Sequence, residues 1–206
     1  MARSADHARI LQAVEGRTDE IAAFLQRLVQ FDSETGKEGP IQECIAGSLR
    51  QMGLEVDQWI PDLDELAKHP AYIPAEGRDF TGRPNVVGIY RGEPRARSLL
   101  FNGHVDTIPW QPVSEWQFDP LSGQIQDDRV LGRGSSDMKG GLAAMTMALK
   151  TLLDIGLRPR GSVILEYVID EEVSGLGTLA CVIRGYKADA GISLETSDLH
   201  VQPACI

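Results

Sequence analysis

His104 and Asp106 stand two residues apart at the end of a short apolar run, Leu99-Leu100-Phe101-Asn102, broken at Gly103. An imidazole placed just beyond a strand in an α/β sheet faces the crevice where ligands collect. A carboxylate beside it can hold its second ring nitrogen, as metal-bound histidines require. Three further acidic groups end predicted strands or turns. Asp137 lies in the Gly-rich segment Gly132-Arg133-Gly134-Ser135-Ser136-Asp137-Met138-Lys139-Gly140-Gly141, ahead of a long helix. Asp170-Glu171-Glu172 ends a buried strand, and Glu195 ends another. Carboxylates converging on one sheet edge repel unless a cation sits among them. One His with several carboxylates suits zinc, manganese or cobalt.

Each group also has a plainer reading. Asp137 can be a helix N-cap, with Lys139 an ordinary exposed lysine. The acidic triplet can be a solvated turn, and Glu195 can lead into a surface loop. Gly175-Leu176-Gly177-Thr178-Leu179-Ala180 fits a dinucleotide fingerprint, with Glu195 at a suitable remove. Three acids separate it from its strand, however, and would oppose a pyrophosphate, so these glycines read better as a tight turn into a helix. Ser135-Ser136 and Cys181 offer nucleophiles, but no G-x-S-x-G elbow exists, and Cys181 falls inside a predicted helix.

The elements that must position these groups alternate. Ile21, Phe24, Leu25, Leu28 and Val29 recur at helical spacing, as do Ile41, Ile45, Leu49 and Met52, with Gly53 as a C-cap. Strands are predicted over residues 54–59, 85–90, 98–102, 161–169 and 190–194, the last short and buried, with another near Val130. Helices are predicted over residues 138–153 and 177–183. Residues 61–84, rich in Pro, Asp and Gly, read as an irregular excursion. The alternation predicts an α/β fold, a mostly parallel sheet flanked by helices.

At 206 residues and 42% hydrophobic, the chain can bury a substantial core. Its formal charge of −10 argues against nucleic acid or an anionic membrane as partner. Cys44, Cys181 and Cys205 are scattered and odd in number, which predicts neither a disulfide framework nor a Cys-based zinc site. The N-terminus has no apolar signal region, and no run nears the roughly 18 apolar residues of a membrane span. A reducing, cytoplasmic setting follows as the expectation.

The motifs together resemble the M20 family of metal-dependent amidohydrolases, on the acetylornithine deacetylase and succinyl-diaminopimelate desuccinylase branch. The resemblance rests on Gly103-His104-Val105-Asp106-Thr107-Ile108-Pro109, Trp116 with Pro120-Leu121, the Gly132–Gly141 segment, and Asp170-Glu171-Glu172 followed by Gly175. Pro84-Asn85-Val86-Val87 is similar to the strand preceding the family's His motif. The resemblance implies a zinc-exopeptidase-like catalytic domain holding two divalent metal ions, zinc with cobalt or manganese as alternatives. It implies His104 as ligand of the first metal, oriented by Asp106. Asp137 would bridge both metals, Glu172 would bind the second and Glu195 the first. Glu171 would be the general base, and a peptide bond beside the bridging Asp is often unusual. The implied reaction is hydrolysis of an N-acyl amide or C-terminal peptide bond of a small substrate.

Residues 1–17 read as an N-terminal extension and 18–206 as the N-terminal part of the catalytic domain. The family's lid domain, through which its members often dimerise, is not expected within this sequence, and neither is the late His of the second metal. His7, His69 and His200 offer no clear replacement. The second metal site, and the C-terminal end of the sheet, are therefore expected to be incomplete. The alternative is a catalytically inactive, truncated metal-binding module.

Overall fold

A computed structural model describes residues 2–74 and 77–197, the first four of them by backbone alone. His200 and Cys205 lie outside the described residues. In chain order the strands are β1 (Glu55–Trp59), β2 (Asn85–Tyr90), β3 (Leu99–His104), β4 (Gln124–Gln126), β5 (Arg129–Leu131), β6 (Val163–Val168) and β7 (Ala190–Ser193). The helices are α1 (Ala2–Glu15), α2 (Thr18–Val29), α3 (Gly39–Gln51), α4 (Leu63–Leu66), α5 (Gly140–Asp154) and α6 (Leu176–Arg184). Five strands form one sheet in the order β1-β2-β6-β3-β7, and β4 pairs with β5 in a separate hairpin.

The α/β sheet flanked by helices is present, but it is mixed. β3 pairs parallel with both β6 and β7, whereas β2 runs antiparallel to both β1 and β6. Side chains alternate identically in either strand direction, so the apolar pattern carried no sign of this reversal. The parallel half is the half that matters for the site. It brings the carboxyl ends of β3, β6 and β7 to one edge.

Alternation divides the core into two layers. Val86, Val163, Leu165 and Tyr167 pack with Leu28, Ile45, Leu49 and Leu142, residues of α2, α3 and α5. Val87, Ile89, Ile164 and Val168 pack with Cys181 of α6 and with Trp59 and Tyr186. α1 has no strong apolar face. Its Ala-rich sequence favours helix, and its Arg9 donates to the Ile155 carbonyl just beyond α5.

Two elements differ from their sequence reading. Gly103 does not break β3, which continues to His104. A Cβ at Gly103 would stand 2.6 Å from both Leu142 Cδ2 and Met138 Cε, so this glycine serves close packing. β7 is exposed along its length rather than buried, because it forms the edge of the described sheet.

The glycine pair of the rejected dinucleotide motif has a packing role too. Gly175 is left-handed at φ 70° and turns the chain into α6. A Cβ on Gly177 would stand 2.2 Å from the Ile169 carbonyl oxygen and 2.7 Å from the Ile169 nitrogen. Backbone cannot swing aside as a side chain can. Gly177→Ala is therefore expected to cost about 3 kcal/mol, the upper end for overpacking. Urea denaturation checks this, and an unchanged midpoint would contradict the contact.

Candidate metal centre

The predicted site residues meet at the carboxyl edge of the parallel strands. His104 ends β3, Glu171 and Glu172 follow β6, and Glu195 follows β7. Asp137 sits in a kinked turn, Ser135–Lys139, that enters α5. The Asp137–Met138 peptide is cis, in keeping with the unusual bond implied at this position. His104 Nε2 lies 3.2 Å from Asp137 Oδ1, 3.6 Å from Glu171 Oε2 and 3.6 Å from Glu195 Oε1. Two overlapping triads result, His104 with Asp137 and Glu172, and His104 with Glu171 and Glu195. Within each, the potential ligand atoms lie within 4.8 Å of one another.

Asp106 meets His104 differently from a simple carboxylate–imidazole pair. The nearer partner of His104 Nδ1 is the Asp106 backbone carbonyl at 2.9 Å, with the carboxylate at 3.6 Å. A proton on Nδ1 satisfies that carbonyl, and Nε2 is the nitrogen that faces the acids. The Asp106 carboxylate accepts instead from Thr35 Oγ1 at 2.8 Å, Glu171 N at 3.1 Å and Glu172 N at 3.3 Å. It thereby anchors the acidic turn.

Asp137 is not the plain helix cap of the simpler reading. α5 begins at Gly140 with no side-chain cap, and Asp137 is exposed beside His104. Lys139 is not an exposed lysine either. It is buried, its ammonium donates to the Phe31 carbonyl at 3.0 Å, and burial lowers its pKa to about 7 against the pull of Asp32. Its stem packs on Gly134, where φ is 77° and a Cβ would stand 2.6 Å from Thr107 Cγ2. Gly141 lets α5 approach β7: a Cβ there would stand 2.5 Å from the Leu194 carbonyl oxygen. That contact, with the bond from Leu194 N to the Asn102 carbonyl, fixes the chain that carries Glu195.

The electrostatics point to a cation. Burial alone would lower the His104 pKa, but Asp106, Glu195 and Glu171 outweigh it and raise it to about 9. Glu172 and Glu195 are pushed above the ordinary carboxylate range, first by burial and then by neighbours that include Asp137 and Glu171, with His104 opposing. A divalent cation relieves this repulsion, and an imidazole with carboxylates is a donor set that binds one. The residues fit the metal.

Residues 100–204 match the family described as Peptidase family M20/M25/M40. The chain belongs to the M20 family. The M20 chain is 36% identical over 195 residues to the N-formyl-4-amino-5-aminomethyl-2-methylpyrimidine deformylase of Bacillus subtilis, covering 92% of itself and 41% of that protein. It is 27% identical over 189 residues to the succinyl-diaminopimelate desuccinylase of Pseudoalteromonas translucida, covering 89% and 45%. The M20 family metallo-carboxypeptidase Sso-CP2 from Sulfolobus solfataricus shares the fold, with a TM-score of 0.68 at 23% identity. That match covers 84% of this chain and 37% of the other. The M20 chain thus spans less than half the length of these relatives.

Several residues that shape this site carried no sequence signal. Thr35 and Glu38 lie far from the motifs along the chain, Arg83 precedes the Pro84-Asn85-Val86-Val87 segment without being part of it, and Asp170 is one acid of a triplet that can be a solvated turn. In the fold Asp170 is buried at φ 64°, while Glu171 and Glu172 face the site. A buried charge that finds its partner many residues away leaves no periodicity to read. Among the described residues, no helix is long and apolar enough to cross a membrane.

Proposed function

We propose that this M20 chain carries the metal centre of an amide hydrolase of deacylase or carboxypeptidase type. The observation that carries the reading is the convergence of Asp137, Glu171, Glu172 and Glu195 on His104 at the parallel sheet edge. The substrate class is a small N-acylated amino acid, N-acyl amine or peptide. Two relatives support this, being named as a deformylase and a desuccinylase. The setting proposed is cytoplasmic.

Following the family resemblance, His104, Asp137 and Glu195 would hold the first cation and Asp137 with Glu172 would give part of a second site, a division that takes one carboxylate from each of the two triads for the first cation. Zinc is the metal proposed, with cobalt or manganese able to replace it. The chemistry such a cation supplies when bound is acidification of water and polarisation of a carbonyl. The chain supplies the rest. Asp106 keeps the His104 Nδ1 side occupied and its Nε2 available. Glu171 is half-exposed, and its backbone nitrogen is fixed by Asp106, so its carboxylate sits at the mouth of the cluster. There it takes a proton from the attacking water at Oε2 and returns it to the leaving nitrogen.

Zinc affinity tests the reading through pH. His104 offers Nε2 only after losing a proton, and its pKa in the metal-free protein is raised to about 9. Below that value the proton competes with the metal, at about tenfold in affinity per pH unit. Affinity measured by chelator competition should therefore rise from pH 7 to pH 9 and flatten above. A flat profile across that interval would remove His104 from the ligand set.

A further inference from the structure

Behind the acidic cluster lies a group of four charged side chains that, among the described residues, form no hydrogen bond or ion pair with the carboxylates of the proposed metal ligands. Arg83 grips Glu38 with two hydrogen bonds, Nε to Oε2 at 2.8 Å and Nη2 to Oε1 at 2.7 Å. The same Nη2 reaches Asp170 Oδ1 at 3.1 Å. Arg78 Nε lies 3.5 Å from Asp170 Oδ2, and Ser174 Oγ donates to that oxygen. Two guanidinium groups thus balance two carboxylates. Glu38 is fully buried, and the side chains of Asp170, Arg78 and Arg83 are 2%, 6% and 8% exposed. Removing charges from water this completely is costly unless each is paired. As general support for the core, a cluster of apolar residues would serve as well.

The cluster is part of a closed circuit. Glu38 Oε2 also accepts from Gly36 N at 2.9 Å. The preceding residue is Thr35, whose hydroxyl donates to Asp106 Oδ2 at 2.8 Å. Asp106 in turn accepts from Glu171 N and Glu172 N. Those two residues follow Asp170 directly in the chain, and Asp170 closes the circuit through Arg83. The loop runs from Asp106 through Thr35, Gly36, Glu38, Arg83 and Asp170 to Glu171 and back to Asp106. It ties the end of β3, the loop before α3, the segment before β2 and the turn after β6. A turn after a strand is ordinarily free to shift. Here the acidic turn is held from behind by Asp170 and from the side by Asp106.

We infer that Thr35, Glu38, Arg83 and Asp170 form a positioning circuit that sets Glu171 and Glu172 against His104, so that metal affinity depends on side chains outside the ligand set. The inference rests on the metal centre proposed above. Hydrogen-bonding partners behind a metal site commonly account for 10–100-fold in affinity. A planar fork that grips Glu38 with two parallel bonds while reaching Asp170 is an arginine geometry that the compact lysine ammonium does not reproduce.

Cobalt(II) titration of the chain, followed by visible absorption, tests the circuit. Thermal unfolding of the metal-free protein is the control for the fold. Thr35→Val is the mildest cut, because it deletes one hydroxyl from a part-buried side chain and leaves the buried charges paired. Its melting should stay near that of the wild type, while cobalt affinity falls about tenfold or more and the absorption bands shift. Arg83→Lys keeps the charge, loses the fork and should show a larger fall. A folded Thr35→Val protein with wild-type affinity and spectrum would overturn the inference, whatever Arg83→Lys does. Wild-type protein that binds no cobalt would overturn the metal centre itself, and the circuit's role with it.

Discussion

On the proposed reading, Glu171→Gln is expected to keep zinc affinity close to that of the wild type and to lower amide hydrolysis about 10²–10⁴-fold, the usual worth of a positioned acid–base group. The amide fills the same space and still accepts hydrogen bonds, but it cannot take and return a proton. The change separates two roles that geometry alone brings close. Glu171 Oε2 is 3.6 Å from His104 Nε2, as near as the carboxylate of Glu195, and it belongs to one of the two possible ligand triads. A ligand lost at this position would weaken metal binding as well as turnover. A base lost would spare binding. Single-turnover hydrolysis of an N-acyl amino acid, measured beside zinc affinity, distinguishes the two. Loss of affinity in parallel with rate would move Glu171 into the ligand set.

His104→Ala has the largest effect expected on binding, a fall of more than about 100-fold, because partners behind a ligand already account for 10–100-fold. Both possible triads contain His104, so no triad survives its loss. The remaining carboxylates would then face one another without the imidazole that now opposes their repulsion. His104 is 1% exposed, so truncating it also leaves space in a buried site. His104→Gln, closer in size, separates that packing loss from the loss of the ligand. Both variants should show the same collapse in affinity, even if only the alanine variant melts early.

Much of the arrangement was readable from residues. Period-3.6 spacing placed α2 and α3, alternation placed β1, and the apolar run of residues 85–90 placed β2. The short motifs around His104, Asp137, Glu171 and Glu195 named the cluster that the fold brings together. Less readable were the features that depend on pairing at a distance. The antiparallel side of the sheet is invisible to a pattern that repeats every two residues in both directions. Gly103 interrupts the apolar run in sequence, but in the fold it makes room for Leu142 and Met138. The apolar run of residues 190–194 predicts a buried strand, and its edge position leaves β7 exposed. An exposed Lys139 belongs only to the plainer reading in which Asp137 caps the helix, and its ammonium is in fact buried against the Phe31 carbonyl. Glu38, Arg83 and Asp170 are separated by 45 and 87 residues along the chain, and nothing local marks a charged residue that will be buried by such partners.

The triads also bear on stoichiometry. They share a single imidazole, and an imidazole nitrogen serves one cation at a time. A second cation at Asp137 and Glu172 would therefore hold fewer ligands than the first. Calorimetric titration of zinc into the metal-free chain, alongside His104→Gln, measures this directly. One tight equivalent is expected in the wild type and none in the variant. Two equally tight equivalents, or tight binding that survives loss of His104, would contradict a metal centre built on this histidine.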